Sequence, residues 1–266
     1  MVSGAAGRLG QRVVAYLAQA PDIEVVAALV RPGSRHEGRP VADGPEGLVY
    51  SSAIETIDET TVLVEVATRA AALEHGARAA KTKCPIVVAT TGFEASEQAD
   101  WSTFADRTPV LLAPNLSMGV TVLLDLVAQA SKALAAYDVE ILELHHNRKR
   151  DAPSGTAWAL GQVAAAARGQ DIQRDAVCAR AGEIGPRGSA EIGLQSIRAG
   201  DIIGEHTVFV AGATERIELT HRAANRDAFA AGAVAAARFL GDPNRKPGLY
   251  GMRDVLGLAS TKPIDS

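Results

Sequence analysis

Aromatic residues are scarce in this chain of 266 residues: Phe, Trp and Tyr together make up 4%. A core with so few rings must be aliphatic, built from Ala, Val, Leu and Ile. Cysteine is nearly absent too. Cys84 and Cys178 form no framework and have no metal-ligand spacing. That argues against a disulfide-stapled scaffold and a structural zinc site, and leaves two reduced thiols. Basic charge is not in excess, with 27 Lys and Arg against 31 Asp and Glu and a net charge of −4. A general nucleic-acid binder needs a basic face to neutralise phosphates, so that class is disfavoured. A local cationic pocket for a small anion remains compatible with an acidic whole. No apolar run reaches membrane length, because Asn115, Ser117 and Asp125 break the stretch from Val110 to Ala130. The start has no basic region followed by an apolar stretch, so no export signal is expected and a cytoplasmic location is the default. Internal repeats, low-complexity tracts and charge blocks are also missing.

What is present is an ordinary globular balance, 47% hydrophobic and 22% charged, in a length that allows one large domain or two modest ones. The first ~115 residues alternate short apolar runs with helical patterns, as in βαβ units around a parallel sheet. The expected strands are Ile23–Val30, Thr61–Val66, Pro85–Ala89 and Val110–Ala113. The expected helices are Arg8–Ala20, Ala70–Lys81 and Ala95–Arg107. Residues Pro32–Gly47, rich in Gly and Pro, read as a surface loop. After Asn115 the pattern changes to a long helix at Met118–Ala136, a strand at Val139–Leu144 and a helix at Ser154–Arg168. Extended segments follow at Ile192–Arg198, His206–Val210 and Arg216–Leu219, which favour an antiparallel or mixed sheet. Asp227–Leu240 is again helical, alanine-rich and suited to packing on the first sheet. The fold class is therefore α/β. A parallel-sheet nucleotide-binding domain, 1–116 with 227–266, surrounds an α+β mixed-sheet domain, 117–226.

Gly4-Ala5-Ala6-Gly7-Arg8-Leu9-Gly10 opens the first helical pattern. Glycines there allow a tight turn and close approach of backbone amides to a pyrophosphate, which a helix N-terminus attracts. The spacing is G-x-x-G-x-x-G, so a purely structural turn stays open beside the dinucleotide reading. Only Met1-Val2-Ser3 precede Gly4, against ~5–6 residues in a usual strand. Either the sheet tolerates a stub or the natural start lies upstream. At the end of the second strand, where an acid would hold the ribose hydroxyl of NAD, the chain reads Leu29-Val30-Arg31. Arg31 is either a partner for a 2′-phosphate, favouring NADPH over NADH, or a solvated loop cation.

The chemistry concentrates in residues 143–157, ELHHNRKRDAPSGTA. A strand ends in Glu143-Leu144-His145-His146, Lys149 follows, and a Pro-Ser-Gly-Thr turn opens an apolar helix. Ser154 can cap that helix and leave the amides of Gly155 and Thr156 to bind a carboxylate. Gly155 lets an anion approach without a Cβ in the way. Lys149 adds a positive charge, and His145 and His146 supply donors and a group that exchanges protons near neutral pH. Such a site suits a small substrate with more than one carboxylate. Each feature also has a plain structural reading: a buried histidine, an exposed basic turn, a helix cap. A hydrolase is disfavoured because Ser154 is not in a G-x-S-x-G elbow. A zinc site is disfavoured because the histidines are adjacent in sequence.

The pattern His-His-x-x-Lys-x-Asp-Ala-Pro-Ser-Gly-Thr-Ala resembles the signature of the dihydrodipicolinate reductase family. Further matches run in the family's order: residues 4–10, Thr90-Thr91-Gly92-Phe93, residues 113–119, residues 198–206, Thr220-His221-Arg222 and residues 252–256. The resemblance implies reduction of the cyclic product of dihydrodipicolinate synthase to tetrahydrodipicolinate with NADPH or NADH. It also implies a Rossmann-type domain, a mixed-sheet domain that builds the substrate site and oligomer contacts, and a homotetramer. Carried over by position, His145 would be the proton donor or acceptor and Lys149 the proton donor. His146, Ser154, Gly155 and Thr156 would hold the substrate carboxylates. Gly4, Ala5, Ala6, Gly7, Arg8 and Leu9, with Ala89, Thr90, Thr91, Ala113, Pro114, Asn115 and Leu116, would line the cofactor. Arg226, near the return to the first domain, matches a family arginine. No metal and no nucleic acid are expected.

Three departures touch the cofactor side. The family's Asp-Phe-Thr or Asp-Phe-Ser, followed by Pro, is here Glu65-Val66-Ala67-Thr68-Arg69-Ala70, with Thr68 or Arg69 as possible substitutes. A Gly becomes Ala89, and a Phe becomes Leu116. Two other readings therefore stay open: a reductase of another cyclic imine or enamine dicarboxylate, and a non-catalytic ligand-binding homologue.

Overall fold

The computed structural model describes residues 1–54 and 57–258. In chain order the elements are β1 (Val2–Ser3), α1 (Arg8–Ala18), β2 (Ala28–Leu29), β3 (Tyr50–Ser51), β4 (Leu63–Glu65), α2 (Arg69–Thr82), β5 (Ile86–Val88), α3 (Ala95–Ala105) and β6 (Pro109–Leu112). Then come α4 (Met118–Ala133), β7 (Asp138–His145), α5 (Gly155–Ala167), α6 (Ile172–Asp175), β8 (Ala176–Val177), β9 (Ile192–Arg198), β10 (Glu205–Ala211) and β11 (Arg216–Arg222). The chain closes with α7 (Asp227–Leu240), β12 (Gly248–Tyr250) and α8 (Met252–Val255). Two compact units result: Met1–Met118 with the described residues from Arg226 on, and Gly119–Asn225.

The first unit is a parallel sheet of seven strands in the order β12-β6-β5-β4-β1-β2-β3. The order reverses between β1 and β4, and ligands of such sheets bind outside the carboxyl ends of the strands at that switch point. Helices α1 and α7 close one face, burying Val13, Val14 and Leu17 beside Ala230, Ala233, Val234 and Ala237. Alanine on α7 permits close packing. The limit is Gly232, where a Cβ would stand 1.7 Å from the carbonyl oxygen of Leu116. Arg12 on α1 joins Asp227 on α7 through Nε at 2.6 Å and Nη2 at 3.0 Å. On the other side Trp101 stacks edge-on between Phe93 and Phe104.

The second unit has a mixed sheet, β11-β10-β7-β9-β8. Strands β7 and β9 run parallel, with α5 in the crossover, and β10 runs antiparallel to both β7 and β11. Val139, Ile141, Val208, Val210, Ile192 and Leu194 face α5, whose Ala157, Leu160 and Ala164 pack on them. This alternation along β7 also sends Glu143 to the buried face.

The structure trims several sequence-based elements. The strand expected at Ile23–Val30 forms only at Ala28–Leu29, because its partner β1 offers two residues to pair, Val2 to Ala28 and Ser3 to Leu29. The short strands β3 and β12 carry too few residues to show a period. Among the described residues no helix is long and apolar enough to cross a membrane.

Candidate functional site

In the first unit, the turn after β1 is shaped by contact rather than by side-chain bonds. Gly4 has φ +74°, and a Cβ there would lie 2.9 Å from the backbone of Ala67. A Cβ on Gly10 would lie 2.1 Å from the carbonyl oxygen of Gly4. The amide of Ala5 donates to Leu29 O at 3.0 Å, and that of Gly7 to Gly4 O at 2.9 Å. Gly7 then caps α1 without a side chain, leaving the helix mouth open to an approaching anion.

Beside this turn lies a cavity of about 300 Å³ walled by Leu9, Ala89, Pro114, Asn115, Leu116, Arg226 and Phe229. Six of these seven are cofactor-lining residues expected from sequence; Phe229, one turn along α7 from Arg226, was not foreseen. Gly4, Ala5, Ala6, Gly7, Arg8, Thr90, Thr91 and Ala113 occupy the adjoining turns rather than this wall. Arg31 is exposed just past β2. Its carbonyl accepts from the Ser34 amide at 3.1 Å.

The altered loop after β4 is held by its own set of bonds. Glu65 is fully buried; its Oε1 accepts from the Ala67 amide at 2.6 Å, and its Oε2 lies 2.5 Å from His75 Nδ1 on α2. Thr68 caps α2 by accepting from the Ala71 amide at 3.3 Å. Arg69 stands at the first helical position, where a proline is well tolerated, and donates to Gly92 O at 3.1 Å. Thr90 reaches the Ala67 carbonyl at 3.4 Å. Thr68 and Arg69 therefore anchor the loop without the family's proline.

In the second unit the polar residues converge on Glu143, which is buried at 0% exposure. Register places it opposite His206 on β10 and Ser196 on β9. Its Oε2 lies 2.5 Å from His145 Nδ1 and 2.9 Å from Arg198 Nη1. Its Oε1 accepts from Arg198 Nη2 at 2.7 Å and from the Ser154 amide at 3.1 Å. Burial alone would raise this carboxyl, but the bonds from His145, Arg198 and Ser196 outweigh it and hold Glu143 far below the usual carboxylate range.

Ser154 caps α5, its Oγ accepting from the Ala157 amide at 3.1 Å and meeting His206 Nε2 at 3.1 Å. His206 is buried, and desolvation with the nearby His145 brings it down to about 4, so it is neutral at neutral pH. A Cβ on Gly155 would meet nothing within 4 Å, which leaves the helix mouth open. Lys149 Nζ lies 2.9 Å from Asp151 Oδ2, and the Lys149 amide donates to His146 O at 3.1 Å.

The two adjacent histidines differ in what they can offer. His146 Nδ1 accepts the Arg148 amide at 3.2 Å, so its neutral ring carries the proton on Nε2 and presents a donor suited to a carboxylate. His145 faces Glu143 through Nδ1. Thr156 is in the first turn of α5, half-buried. Among the described residues no group of three or more His, Cys, Asp or Glu could hold a metal ion.

Sequence reasoning passed over Glu143, Arg198 and His206 as site residues. The signal was the strand period: a glutamate in phase with Val139 and Ile141 must find partners inside the protein.

Comparison with known proteins identifies the family. The model of "Dihydrodipicolinate reductase, N-terminus" matches residues 1–116, and that of "Dihydrodipicolinate reductase, C-terminus" matches residues 119–256. The 4-hydroxy-tetrahydrodipicolinate reductase of Anaeromyxobacter sp. is 43% identical over 98% of both chains. That of Syntrophobacter fumaroxidans is 42% identical over 97% of this chain and 98% of its own. Among solved structures, the dipicolinate-bound dihydrodipicolinate reductase from Paenisporosarcina sp. TG-14 shares the fold, with a TM-score of 0.74 and 23% identity over 95% of this chain and 97% of that one. With the two models matched in order along residues 1–116 and 119–256 and relatives this similar along nearly the whole length, the chain belongs to the dihydrodipicolinate reductase family.

Proposed function

We propose that this protein is an NAD(P)H-dependent reductase that converts the dihydrodipicolinate-type product of dihydrodipicolinate synthase to tetrahydrodipicolinate, on the route to diaminopimelate and lysine. One observation carries the reading: a single buried carboxylate, Glu143, holds both the proton-exchanging His145 and the amide of Ser154 at the mouth of α5. A proton carrier and a carboxylate receptor are thereby fixed to one another.

The first unit supports nicotinamide binding through the glycine turn, the open mouth of α1 and the cavity beside Leu9, Asn115 and Arg226. The cofactor, when bound, supplies hydride to a ring carbon of the substrate. The protein's own groups do the rest. His146 Nε2 and the amides of Gly155 and Thr156 hold the carboxylates and so fix the ring's position. Lys149 Nζ brings a proton to the enamine that hydride addition leaves, and His145 exchanges protons beside it as donor or acceptor. Arg31, with no acid at Val30, favours the 2′-phosphate of NADPH over NADH.

The proposal includes a cytoplasmic homotetramer. Its support is the sheet face turned away from α5, where register lines up Leu142, Leu144, Ile197 and Phe209. Sedimentation equilibrium checks this: a monomer at micromolar concentration removes it.

The deciding assay follows NADPH oxidation with freshly generated synthase product. Turnover supports the reading. Cofactor binding without turnover redirects it to another cyclic imine or enamine dicarboxylate. Pyridine-2,6-dicarboxylate binding without cofactor binding makes the protein a ligand-binding homologue.

A further inference from the structure

Glu143 is placed so that its four lone-pair directions are all used. Arg198 donates twice, once to each oxygen, the Ser154 amide donates to Oε1, His145 Nδ1 lies against Oε2, and the Ser196 side chain adds a further bond. A carboxylate so occupied has no position left for a proton of its own and stays a fixed anion. A fixed anion only accepts, so the hydrogen on the 2.5 Å contact must belong to the His145 ring. The far nitrogen, Nε2, faces Gly204, where a Cβ would lie 3.0 Å away. Gly204 is buried, and its amide oxygen takes the Ala223 amide at 3.0 Å, so the backbone there is pinned. The glycine keeps the space in front of Nε2 clear. His206, at 5.3 Å between ring centroids and 74° to His145, bounds the ring edge-on.

We propose that Glu143, clamped by Arg198, is a positioning residue that commits the Nδ1 proton of His145 and so makes Nε2, in the clearance left by Gly204, the atom through which that histidine exchanges protons with substrate. The reading rests on the reductase function proposed above, but its central claim is about one ring and one proton. Arg198 serves by holding the anion in place: it also donates to Asp151 O at 2.8 Å, which ties the strand end to the turn that opens α5. Glu143 touches no substrate; its effect passes through His145 and through the Ser154 amide.

The test begins with the unmodified protein. Nitrogen-15 NMR of the histidine rings, recorded where the His145 ring is neutral, is expected to show the proton on Nδ1 and a bare Nε2. A bare Nδ1 overturns the proposal at once, whether or not the protein turns over dihydrodipicolinate. Glu143→Gln places an amide against the ring, and inverting the tautomer in this way disables a catalytic histidine. The expected result is a proton moved to Nε2 and kcat lower by a factor on the order of 10² or more, a loss larger than that in pyridine-2,6-dicarboxylate affinity. An unchanged tautomer, or kcat within about threefold, overturns it. Should Glu143→Gln fail to fold, Gly204→Ala tests the same point from the other side of the ring. It is expected to lower kcat about tenfold or more while cofactor affinity holds, and unaltered kcat counts against the clearance at Nε2.

Discussion

Each half of the molecule buries a glutamate near the carboxyl end of a strand and sets it 2.5 Å from the Nδ1 of a histidine: Glu65 with His75, and Glu143 with His145. The pairs look alike and are wired differently. Glu143 also takes both arms of Arg198 and an amide at a helix mouth, so its charge is locked and its histidine is held at the end of a strand. Glu65 takes the Ala67 amide instead, and His75 sits within α2. The first pair shapes a loop that packs on Gly4; the second aims a ring. Similar local chemistry thus does different work according to the backbone each carboxylate grips.

The sharpest way to break that contrast is to remove the rings. His145→Ala and Lys149→Ala should each lower kcat by a factor on the order of 10²–10⁴, typical of lost acid catalysis. His75→Ala should leave kcat within about threefold. Steady-state kinetics decide it: equal losses at both histidines would merge the two pairs into one kind.

Next in size is a pH effect confined to the second unit. His206 is held near 4 in the fold against 6.5 for the free side chain. Between those values the unfolded chain binds a proton that the folded chain refuses, so stability falls as pH drops from about 6.5 towards 4 and levels off below. The loss is about 3 kcal/mol, from ~1.4 kcal/mol per pKa unit. Glu143 adds a separate acid-side loss that begins only below its ordinary value of 4.5 and extends well beneath it. Urea titrations at several pH values measure both, and His206→Gln should flatten the upper window while leaving the lower one.

A smaller effect is expected from Glu65→Gln. Loosening the Ala67 loop should raise the KM for NAD(P)H about tenfold, the effect of one weakened buried bond, with the dicarboxylate KM unmoved. A fall in kcat at constant cofactor KM would show that Glu65 does more than shape the loop. The mildest change is Arg31→Ala, expected to reduce kcat/KM for NADPH severalfold and leave NADH untouched, as befits one exposed cation facing a phosphate. A clear wild-type preference for NADH refutes the role.

Much of this arrangement could be read from the chain alone, for identifiable reasons. Ile192–Arg198 and Asp227–Leu240 end where sequence places them, because a full-length partner strand lies beside the first and an alanine-rich face runs through the second. The glycine turn and the Ser154 cap are local, so sequence shows them. Glu143 stood in plain view but not its role, since Arg198 lies 55 residues away and only the parallel pairing of β7 with β9 brings it there. Ala89, Asn115 and Arg226 come from three distant segments; family motifs, not periodicity, pointed to their shared cavity.

The contact of Gly232 with the Leu116 carbonyl has a consequence for how the molecule is made. The nucleotide-binding half needs α7, which is supplied only after all of β7–β11 has been synthesised. The inserted half, Gly119–Asn225, is continuous and can close its own core as soon as it leaves the ribosome. Until α7 arrives, Val13, Val14 and Leu17 lack the helix that covers them beside Leu116. Order of birth and order of completion are therefore reversed: the segment made first is the one finished last.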